Sequence, residues 1–184
     1  EAEPSFESVP VEQAGLEAFR RALDEGGGLF LVVMGGRAAR IAQYREKAAR
    51  LGIDETVSFL GPRPLEHLGD YLAGADVLVC PRVRGLNTPM KLFPYLHSGR
   101  PVLATALRTH TQLLTSDEAY LAPATPEGFA AGMRVLARSP SLRHRLGRTG
   151  RALVEQNHTF AAHRERLNRA YDWIRAELTA DTAE

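Results

Sequence analysis

Apolar positions along this chain fall into short unbroken runs, separated by stretches with helical spacing. Leu29-Phe30-Leu31-Val32-Val33-Met34 is continuous and stops at Gly35-Gly36. Such a run predicts a parallel strand buried on both faces beneath helices. Ile41, Tyr44, Ala48 and Leu51 then recur on one face of a helix predicted over residues 38–51. Val57-Ser58-Phe59-Leu60 reads as a second strand, stopped by Gly61-Pro62, and a short helix carrying Leu65, Leu68 and Leu72 inward follows. Asp76 to Cys80 is a third strand halted by Pro81, Pro101 to Ala104 a fourth, and Tyr120-Leu121 a short fifth.

Beyond residue 122 the pattern becomes helical throughout. Thr125-Pro126-Glu127 has an N-cap, a proline at the first helical position and an early acid, with Phe129, Met133 and Leu136 facing inward. A second helix follows Ser139-Pro140, and a last one starts near Thr159 and runs through Leu167, Ile174 and Leu178. Alternating strands and helices predict an α/β fold: a Rossmann-like parallel sheet with helices on both faces, then a helical C-terminal segment. We expect a single domain over 1–184, with an α/β core over 10–122 and C-terminal helices over 123–184. There is no internal repeat and no interior linker.

Composition adds limits. A chain of 184 residues with 44% hydrophobic and 24% charged residues suits one soluble domain with a sizeable core. No apolar run approaches the ~20 residues of a membrane span. The N-terminus is acidic, unlike a signal peptide, and lacks an initiator Met, which predicts a trimmed or excised fragment. The single cysteine, Cys80, excludes an internal disulfide and fits a reducing, cytoplasmic location. Six scattered histidines lack metal-ligand spacing, so no protein-built metal site is predicted.

The net charge of +1 is unevenly distributed. Arg134, Arg138, Arg143, Arg145, Arg148 and Arg151 lie in a stretch without acids. That stretch allows association with a membrane surface on its inner face or with a lipid-linked acceptor. It reads more simply as a solvated helix face opposite Leu142, Leu146 and Leu153. Nucleic acid is not a predicted partner, because no aromatics interleave with the basic residues.

In open parallel sheets, ligands bind beyond the carboxyl ends of the strands. That rule points to Gly35-Gly36-Arg37, Gly61-Pro62-Arg63, Pro81 to Thr88, and Thr105 to Gln112. The richest chemistry lies in Pro81-Arg82-Val83-Arg84-Gly85-Leu86-Asn87-Thr88-Pro89-Met90-Lys91. Thr88 reads as a helix N-cap and Pro89 as the first helical residue. Lys91 in the first turn opposes the helix dipole, at a cost of roughly 0.3–1 kcal/mol. Arg82 and Arg84 add to that repulsion, and a bound anion would relieve it. Arginine, lysine and backbone donors together suit a diphosphate. Pro94, inside the expected helix, predicts a kink costing on the order of 3 kcal/mol.

Other residues have plainer readings. His110 and Gln112 can reach a ligand or serve as caps and packing. His97 fits a dipole contact at a helix end. Cys80 reads as a small buried hydrophobe, and Tyr171 and Trp173 as packing residues. A dinucleotide-binding oxidoreductase is the alternative for Met34-Gly35-Gly36-Arg37, but the full glycine pattern and the ribose-binding acid are missing.

Asp76 to Pro81, Asn87-Thr88-Pro89-Met90-Lys91-Leu92-Phe93 and Ser98-Gly99-Arg100-Pro101-Val102-Leu103-Ala104-Thr105 together resemble the C-terminal domain of glycosyltransferase family 4 (group 1). Leu31 to Gly36, Val57 to Gly61 and Thr125 to Phe129 extend the resemblance. It implies the donor-binding half of a two-domain GT-B hexosyltransferase, acting in cell-envelope or polysaccharide synthesis. Transfer would normally be retaining, with a nucleotide-diphosphate sugar as donor substrate and no cofactor or metal held by the protein. The acceptor (a glycan, lipid or small molecule) would bind a separate N-terminal domain that this chain lacks, leaving the fragment alone inactive.

By position, Arg82, Arg84, Gly85, Leu86, Asn87, Thr88, Pro89, Met90 and Lys91 would meet the diphosphate and sugar. Gly35, Gly36, Arg37, Gly61, Pro62, Arg63 and Pro94 would flank the nucleotide. Two glutamates common in the family fall here on Leu86 and Pro94, which assigns no catalytic residue and leaves open a non-catalytic binding or interaction module. The family's central first strand has only Ser5-Phe6-Glu7-Ser8, within residues 1–9, to stand for it.

Overall fold

The computed structural model describes residues 11–26 and 28–181, so the stand-in for a first strand lies outside the described residues. The described residues open with a helix that the apolar runs did not announce, α1 (Val11–Asp24). Leu16, Phe19 and Ala22 on it are buried at helical spacing. Strand β1 (Leu31–Met34), helix α2 (Ala38–Leu51) and strand β2 (Val57–Gly61) follow. A 3-10 turn at Leu65–His67 leads into α3 (Leu68–Ala73), then come β3 (Leu78–Cys80), α4 (Leu92–His97), β4 (Val102–Thr105), α5 (Arg108–Thr111) and β5 (Tyr120–Ala122). The chain ends in α6 (Pro126–Arg138), α7 (Pro140–Asn157) and α8 (Phe160–Asp181).

All pairings are parallel. Strand β1 pairs β2, while β3, β4 and β5 form a second sheet in that order. Among the described residues no strand bonds β1 to β3, although Leu31, Val33, Phe59, Val77 and Val79 all pack against one hydrophobic cluster. That cluster is built from Leu16 and Phe19 of α1, Tyr44 and Ala48 of α2, and Phe129, Met133 and Leu136 of α6. A second cluster covers the other face of the β3–β5 sheet, with Leu72 of α3, Leu92 and Leu96 of α4, and Val154 of α7. Strand β4 alternates between the two, sending Leu103 into the first and Val102 and Ala104 into the second. It is the one strand of the described residues whose side chains are buried throughout.

The C-terminal helices begin where local chemistry places them. The Thr125 hydroxyl accepts from the Gly128 N–H at 3.1 Å, and Ser139 caps α7 through the Leu142 N–H. Three expectations fail for tertiary reasons. The run from Leu29 is not buried on both faces: Leu31 and Val33 pack against the first cluster, while Phe30, Val32 and Met34 are exposed. Among the described residues the hydrophobic clusters take up only the Leu31–Val33 side. Leu65 is exposed because its turn precedes α3 instead of belonging to it. Tyr171 and Trp173 of α8 are exposed as well.

Candidate functional site

The loops that follow the strands divide into two joined pairs. In the first, the Gly35 N–H bonds the Gly61 carbonyl at 2.8 Å, which ties the end of β1 to the end of β2. Gly35, Gly36 and Gly61 all have positive φ, and this permits the abrupt turns. Arg37 follows in extended conformation as the residue before α2, and Pro62 and Arg63 are exposed on the neighbouring loop. This pair contains the nucleotide-flanking candidates except Pro94.

The second pair joins the loop after β3 to the loop after β4. Gln112 donates to the Thr88 hydroxyl, and the Thr105 hydroxyl donates to the Arg82 carbonyl. Arg82 curls over its own loop onto Asn87. Arg84, Gly85, Leu86, Asn87, Met90 and Lys91 are exposed, while Thr88 and Pro89 are half-buried. Beneath them lie Cys80, Thr105, Thr109 and His110, all buried. Burial holds the Cys80 thiol above its ordinary range, against the opposing fields of Lys91 and Arg82. Burial also lowers the His110 pKa, partly offset by its bond to the Thr105 backbone and reinforced by Arg82 and Lys91.

The helix start differs from expectation. Leu92 N–H bonds the Pro89 carbonyl and Phe93 N–H the Met90 carbonyl, so residues 89–91 form a turn and α4 begins only at Leu92. Thr88 is therefore not an N-cap; its hydroxyl is taken by Gln112 instead. Lys91 stands at the helix entrance and not within its first turn. Pro94 becomes the third residue of α4, where the missing N–H would have had no helical partner, so the predicted hydrogen-bond loss does not arise. With six residues, α4 has a weak dipole, and the positive charge at this loop comes from its side chains.

Arg108, within the expected loop from Thr105 to Gln112 but not among its expected ligand-binding residues, is exposed at the start of α5. Its signal was available: a cation directly after a strand end. Thr109 also escaped notice. Its hydroxyl is the buried side-chain oxygen without a hydrogen-bond partner among the described residues. No group of His, Cys, Asp and Glu that could hold a metal occurs among the described residues.

The basic stretch after residue 133 is largely committed to internal partners. Arg134 pairs with Glu25, Arg145 with Asp117 and Arg151 with Glu155. Arg138 donates to the Glu25 carbonyl, and Arg143 to the carbonyls of Leu136 and Ala137. No helix among the described residues is long and apolar enough to cross a membrane.

Comparison with known proteins places this geometry in context. No curated protein sequence matches the chain. Among solved structures, sucrose-phosphate synthase from Thermosynechococcus elongatus superposes with a TM-score of 0.72 at 21% identity, covering 90% of this chain and 43% of that one. The C-terminal domain of a glycosyl transferase group 1 family protein (LpcC) from Francisella tularensis gives 0.70 at 19%, covering 81% and 80%. Anabaena HepE, in complex with UDP and glucose, gives 0.75 at 13%, covering 88% and 44%. The chain thus spans less than half of the first and third of these structures. They share its Rossmann-like GT-B fold. The family model described as "Glycosyl transferases group 1" matches residues 13–139, the stretch that contains both pairs of loops, and the chain therefore belongs to that family.

Proposed function

We propose that this chain binds the diphosphate of a nucleotide sugar and serves as the donor half of a glycosyltransferase. One observation carries this reading. Arg37, Arg63, Arg82, Arg84 and Lys91 stand on the loops that follow β1, β2 and β3, Arg108 opens α5 just after β4, and the loop residues 35–37, 62–64, 81–91 and 106–107 include no acid. An acid-free group of cations at strand ends attracts a polyanion, and arginine engages phosphate oxygens in pairs. Gly85 to Lys91 would meet the diphosphate and sugar, while Gly35 to Arg37, Gly61 to Arg63 and Pro94 would flank the nucleotide. Family membership supports sugar transfer as the reaction, and UDP in the HepE structure makes UDP the first probe.

Under this reading transfer is of the retaining, hexosyl type, in polysaccharide or cell-envelope synthesis at the cytoplasmic side. The acceptor binds a further domain. The donor is the only small molecule required, and no residue of this chain is assigned as catalytic. Leu86 and Pro94 lack the oxygen acceptors of glutamate, so recognition of the sugar and ribose hydroxyls falls to Asn87 and Thr88.

Calorimetric titration with UDP, GDP, ADP, their sugars and NAD tests the proposal. Binding that prefers a nucleoside diphosphate or its sugar is the expected result. Binding of NAD alone would overturn it in favour of a dinucleotide site.

A further inference from the structure

Cys80, Thr105 and His110 form a buried hydrogen-bonded set beneath the cationic loop that direct diphosphate contact does not use. His110 Nδ1 lies 2.7 Å from the Thr105 carbonyl oxygen, and Nε2 lies 3.4 Å from Cys80 Sγ. A carbonyl only accepts, so Nδ1 carries the ring proton and Nε2 keeps its lone pair. The thiol is then the donor to Nε2. The Thr105 hydroxyl, 3.2 Å from Nδ1, is oriented by its own bond to the Arg82 carbonyl. One imidazole thereby ties together the end of β3, the end of β4, α5 and the backbone from which Arg82 projects. Gln112, on the residue that follows α5, reaches Thr88 on the same cationic loop.

Taking the donor-site reading as given, we propose that His110 is a positioning residue for the diphosphate site. As a neutral Nδ1–H imidazole it sets the spacing between α5 and the Arg82–Thr88 loop, and so holds the cations in their binding arrangement. A second proton on Nε2 would face the thiol proton and add charge beneath Arg82 and Lys91, with Arg108 on the same short helix. Simple packing would need only the volume of the ring. Positioning needs the donor at Nδ1.

The variants H110N, H110Q and H110F separate these roles. Asparagine places an amide nitrogen close to where Nδ1 stands, glutamine places its amide one carbon further out, and phenylalanine supplies volume without a donor. Each full chain is checked for folding by urea denaturation and then titrated with UDP, GDP, ADP and inorganic pyrophosphate. Wild type and H110N are expected to bind within about threefold of each other, and H110Q and H110F about tenfold more weakly, the effect of one lost hydrogen bond. H110F binding as tightly as wild type, or H110N as weakly as H110Q, overturns the inference and leaves the donor-site reading standing. A wild-type chain that binds none of the four probes overturns both. Should H110F fail to fold, T105V takes its place: it removes the hydroxyl bond to the Arg82 carbonyl with little change of shape. Weaker binding by folded T105V supports the positioning role, and unchanged binding overturns it.

Discussion

Arg82 bonds Asn87 twice, once at its backbone carbonyl and once at its side-chain oxygen, the latter at 3.2 Å. Gly85 sits inside the bend this creates. Its φ is +138°, and a Cβ there would stand 2.6 Å from the Arg82 guanidinium carbon. The guanidinium is thus held on its loop before any anion arrives, which reduces the ordering entropy that binding would otherwise oppose. Asn87→Ala keeps the backbone carbonyl and removes the side-chain oxygen, and is expected to weaken UDP binding by about threefold to tenfold, as for one lost polar contact. The melting temperature should hardly change, because both side chains lie at the surface. Calorimetry and thermal melts measure the two effects separately.

Lys91 is exposed at the entrance of α4, and it has no ion pair among the described residues. Its charge adds to those of Arg82 and Arg84. Lys91→Ala should weaken nucleoside diphosphate binding, flatten its salt dependence, and leave the empty chain as stable as before or slightly more so. Titrations at two salt concentrations check this. A clear loss of stability in the empty chain would make Lys91 structural.

Thr109 is only 3% exposed, and its buried hydroxyl has no hydrogen-bond partner among the described residues. An orphaned polar group costs about 1–3 kcal/mol relative to one with a partner. Thr109→Val keeps the shape and removes the orphan, so the empty chain should gain stability in urea denaturation. If UDP binding falls at the same time, a ligand oxygen or a water brought by the ligand completes that hydroxyl.

Gly147 marks where α7 meets the turn after α4. A Cβ there would lie 2.0 Å from the Gly99 carbonyl oxygen, a backbone atom that cannot rotate away. Gly147→Ala must push α7 off this turn, at a cost of about 1–3 kcal/mol typical of overpacking. The melting temperature should fall by several degrees. Because Gly99 follows the far end of α4 from Lys91, UDP affinity of the folded fraction should be nearly unchanged.

The lowered pKa of His110 has a defined sign for stability. The unfolded chain takes up the proton first, so stability is retained above the ordinary histidine range and declines as pH falls through it. His158 shifts in the same direction, by burial and by the field of Arg166. Melts between pH 7.5 and 5 should therefore show a steeper loss for wild type than for H110N, with His158 contributing equally to both. Equal slopes would mean that folding leaves the pKa of His110 unshifted.

The alternation of strands and helices, the span of α2 and the starts of α6 and α7 could all be read from the sequence. Each depends on interactions within a few residues: apolar spacing, the Thr125 and Ser139 caps, and prolines that need no hydrogen bond. The rule that ligands gather beyond strand ends was enough to single out the four loops. Which side chains those loops hold in place was decided elsewhere. Thr88 looks like a cap in sequence, but Gln112 takes its hydroxyl and the helix starts later. Cys80 and His110 are separated by thirty positions, and their contact exists only because β3 and β4 run side by side. Phe30, Val32 and Met34 look as buried as their neighbours in one dimension, yet burial depends on covering elements far along the chain. The sequence by itself thus determined most of the elements, α1 excepted, and the cations, through short-range propensity and charge. Tertiary structure decided the partners, because hydrogen-bond pairing and solvent exclusion depend on the path of the whole chain.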